Sequence, residues 1–155
     1  MDSTAHITSL AQVIQLAVAP VFLLAGVGTT LNVLANRIAR IIDRARALEA
    51  RLATADADTA RELHELLRVL SRRATFINRA IGLAVLSGLL VSLVVAALFV
   101  GASLRIDLTL PIGVGFTFAL LSMAASLVYF LREVVIATSS LTFGGARKVA
   151  AEQRK

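Results

Sequence analysis

Three uncharged, largely apolar runs divide the chain, at residues 7–36, 80–104 and 108–131. Each reaches the roughly 20 residues that a helix needs to cross a hydrocarbon core of about 30 Å. A helix also satisfies its own backbone polar groups, which lipid cannot do. The pattern predicts three membrane spans, at about residues 10–35, 80–102 and 108–132. Between the first two spans the periodicity changes. Leu31, Leu34, Ile38, Ile41, Ala45, Leu48 and Leu52 recur at alternating steps of three and four, the heptad seam of a coiled coil. Leu63, Leu67, Leu70, Ala74, Ile77 and Ile81 repeat that seam after a short break. Two seams joined by a few residues predict an antiparallel helical hairpin over residues 36–79. The expected fold is an all-α integral membrane protein, a single domain over residues 1–155. Its long cytoplasmic hairpin lies between the first and second of three transmembrane helices.

Local signals refine this outline. The first helix is expected to run without a break from the bilayer into water, with a bend at Pro20, which lacks an amide donor. Thr59 and Glu62 have the spacing of a capping box, so the returning helix is expected to start at Thr59. Ala80, Ala84, Gly88, Ser92 and Ala96 form a row of small residues four apart, and Gly115, Ala119, Ser122 and Ser126 form another. Such rows let helix backbones approach closely in lipid, so Ala84, Gly88, Ser92, Ala96, Gly115 and Ala119 are candidate packing positions. Tyr129 and Arg132 mark the inner interface of the third span. Gly144 and Gly145 are expected to end the third helix, leaving residues 144–155 as a basic tail.

Charge orients the outline. The chain carries a net charge of +6, and 57% of its residues are hydrophobic. Residues 36–79 hold ten Arg against six acids, whereas the link between the second and third spans holds only Arg105 and Asp107. Lys and Arg accumulate in cytoplasmic loops. The hairpin and C-terminus are therefore expected inside and the N-terminus outside, in an inner, cytoplasmic membrane. The N-terminus also lacks the positive region of a cleaved signal peptide. The Arg residues crowd the membrane exits without interleaved aromatics, which favours anionic lipid headgroups over nucleic acid. The absence of Cys removes disulfide and thiolate chemistry.

Candidate chemistry is sparse. The three runs contain no Asp, Glu, Lys or His, so no enzyme, metal or cofactor is expected. His6 and His64 fall on opposite sides of the membrane in this topology, and His64 reads as part of a solvated helix face. Gln15, Asn32 and Asn36 are the polar positions of interest in the first span, either as hydrogen-bonding contacts between helices or as the lining of a pore. Arg37, Arg40 and Arg44, with Arg72, Arg73 and Arg79 on the returning helix, gather near the inner membrane surface. They suit headgroup anchoring, an anion vestibule, or an acidic partner.

The ordered set Ile14-Gln15, residues 19–24 (APVFLL), Leu31-Asn32, Arg37, Arg40-Ile41 and residues 43–46 (DRAR), followed by Arg72-Arg73 and Asn78-Arg79, resembles a family of small bacterial membrane proteins. That family is known as domain of unknown function 2721, and the resemblance covers residues 14–131. It implies a three-span bacterial membrane protein and assigns no catalytic residue.

Two functional readings follow. One is a non-enzymatic homo-oligomer that encloses a pore or ion-conducting path. The other is a membrane-anchored scaffold whose Arg-rich cytoplasmic hairpin binds a protein partner or anionic lipid. The wide apolar stripe, with Ile42, Leu66 and Val69 beside the seams, favours self-association.

Overall fold

A computed structural model describes the backbone of residues 2–104 and 106–152 and the side chains of residues 14–104 and 106–137. Helix α1 spans Asp2–Leu52, α2 spans Ala57–Leu104 and α3 spans Thr109–Glu152, with no strand among the described residues. All three are long and apolar enough to cross a membrane. By contacts the chain divides into two compact units. One holds residues 1–33 and 81–126, and the other holds residues 34–80 and 127–155.

Helix α1 runs without a break as expected, with Pro20 inside it, whereas helix boundaries differ from expectation in two other places. A helix can continue through a proline in a membrane because neighbouring helices and Ser or Thr side chains take up the freed backbone groups. Helix α2 starts at Ala57, not Thr59, because Asp56 is the cap. The amide of Ala60 donates to the Asp56 carbonyl at 2.8 Å. The Thr59 hydroxyl and nearby backbone amides hold the Asp56 carboxyl below its usual range. The Thr59 side chain thus donates to the cap and is not the cap itself. Finally, α3 runs through Gly144 and Gly145 to Glu152. Glycine lowers helix propensity by about 1 kcal/mol without clashing, and the Ala-rich segment 146–152 resumes strong helix formers.

The first unit is lined by small side chains. Ala17 and Val27 of α1, Ala84, Ser87, Val91 and Val94 of α2, and Ala119 and Ser126 of α3 are buried. The Ser87 hydroxyl donates to the Ala119 carbonyl at 2.8 Å, a buried polar contact between helices. A Cβ at Gly115 would lie 3.1 Å from Val94, and one at Gly88 would lie 3.4 Å from Val27. The surface is apolar: Phe22, Leu93 and Leu110 are among many large exposed hydrophobics. Lipid-facing helices carry such side chains because water is absent there.

In the second unit the heptad seams are the buried stripes. Leu34, Ile41 and Leu48 of α1 and Leu63, Leu70 and Ile77 of α2 are buried, and the intervening Ile38, Ala45, Leu67 and Ala74 are half-buried. Four residues, 53–56, join the two helices. The Phe76 and Tyr129 rings meet with centroids 6.3 Å apart, within the range of tilted aromatic pairs. Ahead of α3, Asp107 accepts from the Thr109 amide at 3.0 Å, and that bond lowers its carboxyl pKa.

Candidate functional site

Glu133 organises the second unit. It lies on α3 two residues beyond the third uncharged run, and its side chain has no exposure. Ala119, Ser126 and Glu133 are the fully buried positions of α3 among its described side chains, and they are seven residues apart. A residue that inherits a seam position between apolar neighbours must bring its charge inside.

Two guanidinium groups answer that charge. Arg73 of α2 donates Nε and Nη2 to Glu133 Oε1 at 3.1 and 2.8 Å. Arg37 of α1 donates Nη1 to the other oxygen, Oε2. Three helices are thereby tied through one carboxylate. Removing a carboxylate from water costs several kcal/mol, and only close, well-directed partners offset it. Charge-assisted hydrogen bonds from arginine supply such partners. The Arg37 guanidinium also stacks over the Phe130 ring, 5.1 Å from its centroid, which adds a cation–π contact. Arg37 and Arg73 keep 37% and 22% of their side chains exposed, so both still reach solvent.

That exposed side opens into a pocket of about 290 Å³ lined by Arg37, Arg40, Arg44, Arg73 and Glu133, with Ile41, Leu70 and Ala137. Four arginines thus line the pocket with one carboxylate, and Glu133 binds two of them. A second hollow of about 310 Å³ shares Arg44, Leu70, Arg73 and Ala137 and adds Leu48, Leu66 and Val69. The site therefore has a cationic part and an apolar part. Its chemistry suits holding an anion and offers no nucleophile or general base with a paired partner. No group of three or more potential metal ligands occurs among the described residues.

The structure brings together Arg37, Arg40, Arg44 and Arg73 from the expected set and leaves Arg72 and Arg79 exposed, outside the pocket. Gln15, Asn32 and Asn36 are exposed. Thr29 and Thr30 donate to carbonyls four residues back in α1. In the small-residue rows, Ala84 and Ala119 are buried and Gly88 and Gly115 half-buried, whereas Ser92 and Ala96 face outward. A row with strict steps of four drifts around a helix of 3.6 residues per turn. The buried stripe of α2 therefore follows Ala84, Ser87, Val91 and Val94 instead. His64 Nδ1 lies 2.7 Å from the Ala60 carbonyl of its own helix. Glu133 itself, the residue on which the site turns, is absent from the expected set. Continuing the α3 row by one heptad beyond Ser126 arrives at it.

Comparison with known proteins agrees with the resemblance noted above. A family model described as protein of unknown function (DUF2721) matches residues 17–143. No curated protein and no solved structure matches the chain.

Proposed function

We propose a binding role, not a catalytic one, for this protein, which belongs to the DUF2721 family of unknown function and carries three helices long and apolar enough to cross a membrane. It is a multi-pass protein of the bacterial inner membrane, with its N-terminus outside and its C-terminus inside. Residues 36–79 form an antiparallel cytoplasmic hairpin, a membrane-anchored scaffold that holds an anionic ligand against its arginines. One observation carries this reading. Glu133 fixes Arg37 and Arg73 in place, while Arg40 and Arg44 line the same pocket without a second acid in its lining. Two arginines beyond the pair that Glu133 binds give the lining an excess of positive charge.

The hairpin geometry has support of its own. Arg37 lies 15 residues before the end of α1 and Arg73 lies 16 residues after the start of α2, and both reach the same carboxylate. Nearly equal distances from one short connection suit two antiparallel helices. The scaffold reading is tested by thermal unfolding of the full chain in detergent with added inorganic phosphate, an acidic peptide, or phosphatidic acid. A ligand that binds the folded state raises its melting temperature by mass action. At least one anion is expected to do so, with less effect at high salt. If none of the three shifts the transition, the scaffold reading is wrong.

Self-assembly is the second reading. Ile42, Leu66 and Val69 are exposed apolar residues on the hairpin, outside the uncharged runs. A closed homo-oligomer, the usual outcome of self-association, would cover them, and a pore lined by Asn32 and Asn36 is its strongest form. The patch itself provides the test. Mass measurement in mild detergent should give an oligomer for the natural chain and a smaller species for Ile42→Asp, which puts a charge on the exposed apolar face. A natural chain that stays monomeric at micromolar concentration overturns this reading and the pore with it.

A further inference from the structure

We infer that the Glu133-anchored pocket is a site for the phosphate of an anionic lipid headgroup, held by Arg40 and Arg44 with Arg37 and Arg73 behind them. The inference rests on the scaffold reading and names its ligand. Its first ground is depth. Arg37 and Arg40 lie one and four residues past the first uncharged run, and Glu133 lies two past the third. At 1.5 Å per residue these are about 1.5, 6 and 3 Å along the helix axis. The headgroup layer occupies roughly 5–8 Å on each side of the hydrocarbon core. Arg44, about 12 Å out by the same rise, is the lining residue of α1 farthest past the run, within reach of the headgroup layer through its long side chain.

The second ground is the donor set. Arginine presents a planar fork of donors that matches phosphate oxygens, often two at a time. Arg40 and Arg44 are one helical turn apart on α1, exposed, and line one wall. Glu133 holds Arg37 through Nη1 and Arg73 through Nε and Nη2, so their positions are set before a ligand arrives. Positioning before binding removes part of the side-chain ordering cost. A phosphate can accept from several forks at once. An acidic peptide lacks the reason to sit at headgroup depth.

The test uses the full chain in detergent, with phosphatidic acid, phosphatidylcholine, inorganic phosphate and an acidic peptide as separate probes. The readout is the probe concentration that gives half the maximal rise in melting temperature. Phosphatidic acid is expected to stabilise the protein, with phosphatidylcholine and inorganic phosphate at equal concentration giving little. The double variant R40Q/R44Q is expected to need at least about tenfold more phosphatidic acid, since each charge-assisted contact is worth more than 1.4 kcal/mol. Both residues are exposed, so the variant should melt near the natural chain without lipid. R72Q/R79Q removes the same charge outside the pocket and should respond like the natural chain. An equal loss in the two variants means diffuse surface attraction and overturns the pocket. Equal stabilisation by inorganic phosphate overturns the lipid as its source. A response to the acidic peptide alone overturns the headgroup assignment and leaves the scaffold standing, whereas silence from every probe overturns both.

Discussion

Arg73 gives both Nε and Nη2 to the same oxygen of Glu133, which leaves the other oxygen for Arg37. One carboxylate therefore serves two helices without sharing an acceptor atom between them. Each arginine holds the acid in the orientation the other needs.

That division makes Glu133 the most sensitive single position in the second unit. Glu133→Ala leaves two guanidiniums facing each other across the gap. Breaking a buried pair costs 3–5 kcal/mol, and partial exposure of both arginines puts the expected loss near the lower end, at about 3 kcal/mol. Thermal or denaturant unfolding in detergent measures it, with Arg132→Ala, an exposed neighbour on α3, as the comparison. Equal stability of the two variants would show that the triad contributes nothing.

The seams give a second expectation. Ile41 and Leu70 are each 6% exposed, so Ile41→Asp or Leu70→Asp forces a charge inside and should lower stability by several kcal/mol. Arg46 and Glu65 are exposed, and truncating either to Ala should change stability by about 0–1 kcal/mol. Comparable losses in both classes of variant would mean that these stripes do not hold the helices together.

Asp56 links α2 to pH. Its carboxyl is lowered on folding, first by the Thr59 hydroxyl. A group depressed in this way adds stability that is complete above its unfolded pKa, near 3.9, and vanishes as pH falls through the folded value. Asn caps about as well as Asp but does not titrate. The melting temperature of the natural chain should therefore exceed that of Asp56→Asn by a constant margin above about pH 5, and the margin should close below about pH 4. A margin that persists unchanged to pH 2.5 would remove the charged cap from the account.

Orientation is open to chemical labelling in intact cells. Ala55 sits in the α1–α2 connection and Ser103 near the end of α2. With the hairpin inside, a single Cys at position 55 should resist an impermeant thiol reagent and one at position 103 should react. The opposite result reverses every statement about sides.

Much of this architecture was legible in the sequence because it depends on period and composition. Uncharged runs of 24 residues or more have few alternatives to a spanning helix, and the seams named from spacing are the buried stripes of α1 and α2. What escaped depends on context. The third uncharged run ends at residue 131 with the appearance of Arg132, and spacing alone gives no sign that Glu133, two residues on, is buried. Whether an acid is inside depends on which arginines other helices bring, and that is a property of the packed structure. The cap at Asp56 escaped for a related reason: Asp56 and Thr59 both suit the role, and only the geometry of the first turn chooses between them. The outward drift of Ser92 and Ala96 reflects a row counted in fours on a helix that turns every 3.6 residues.

Sharing one acid among three helices also imposes an order in time. Glu133 is made 60 residues after Arg73, a delay of about 3–12 s at usual rates of synthesis. Until then Arg37 and Arg73 lack their shared acceptor, so the first two helices are expected to pack less firmly before the third supplies its carboxylate. Chains truncated after Leu131 should be cleared by membrane proteases faster than the full chain in a pulse-chase, and their clearance should slow when Arg73 is replaced by Met. Identical lifetimes for all three would show that the late acid adds nothing to that packing.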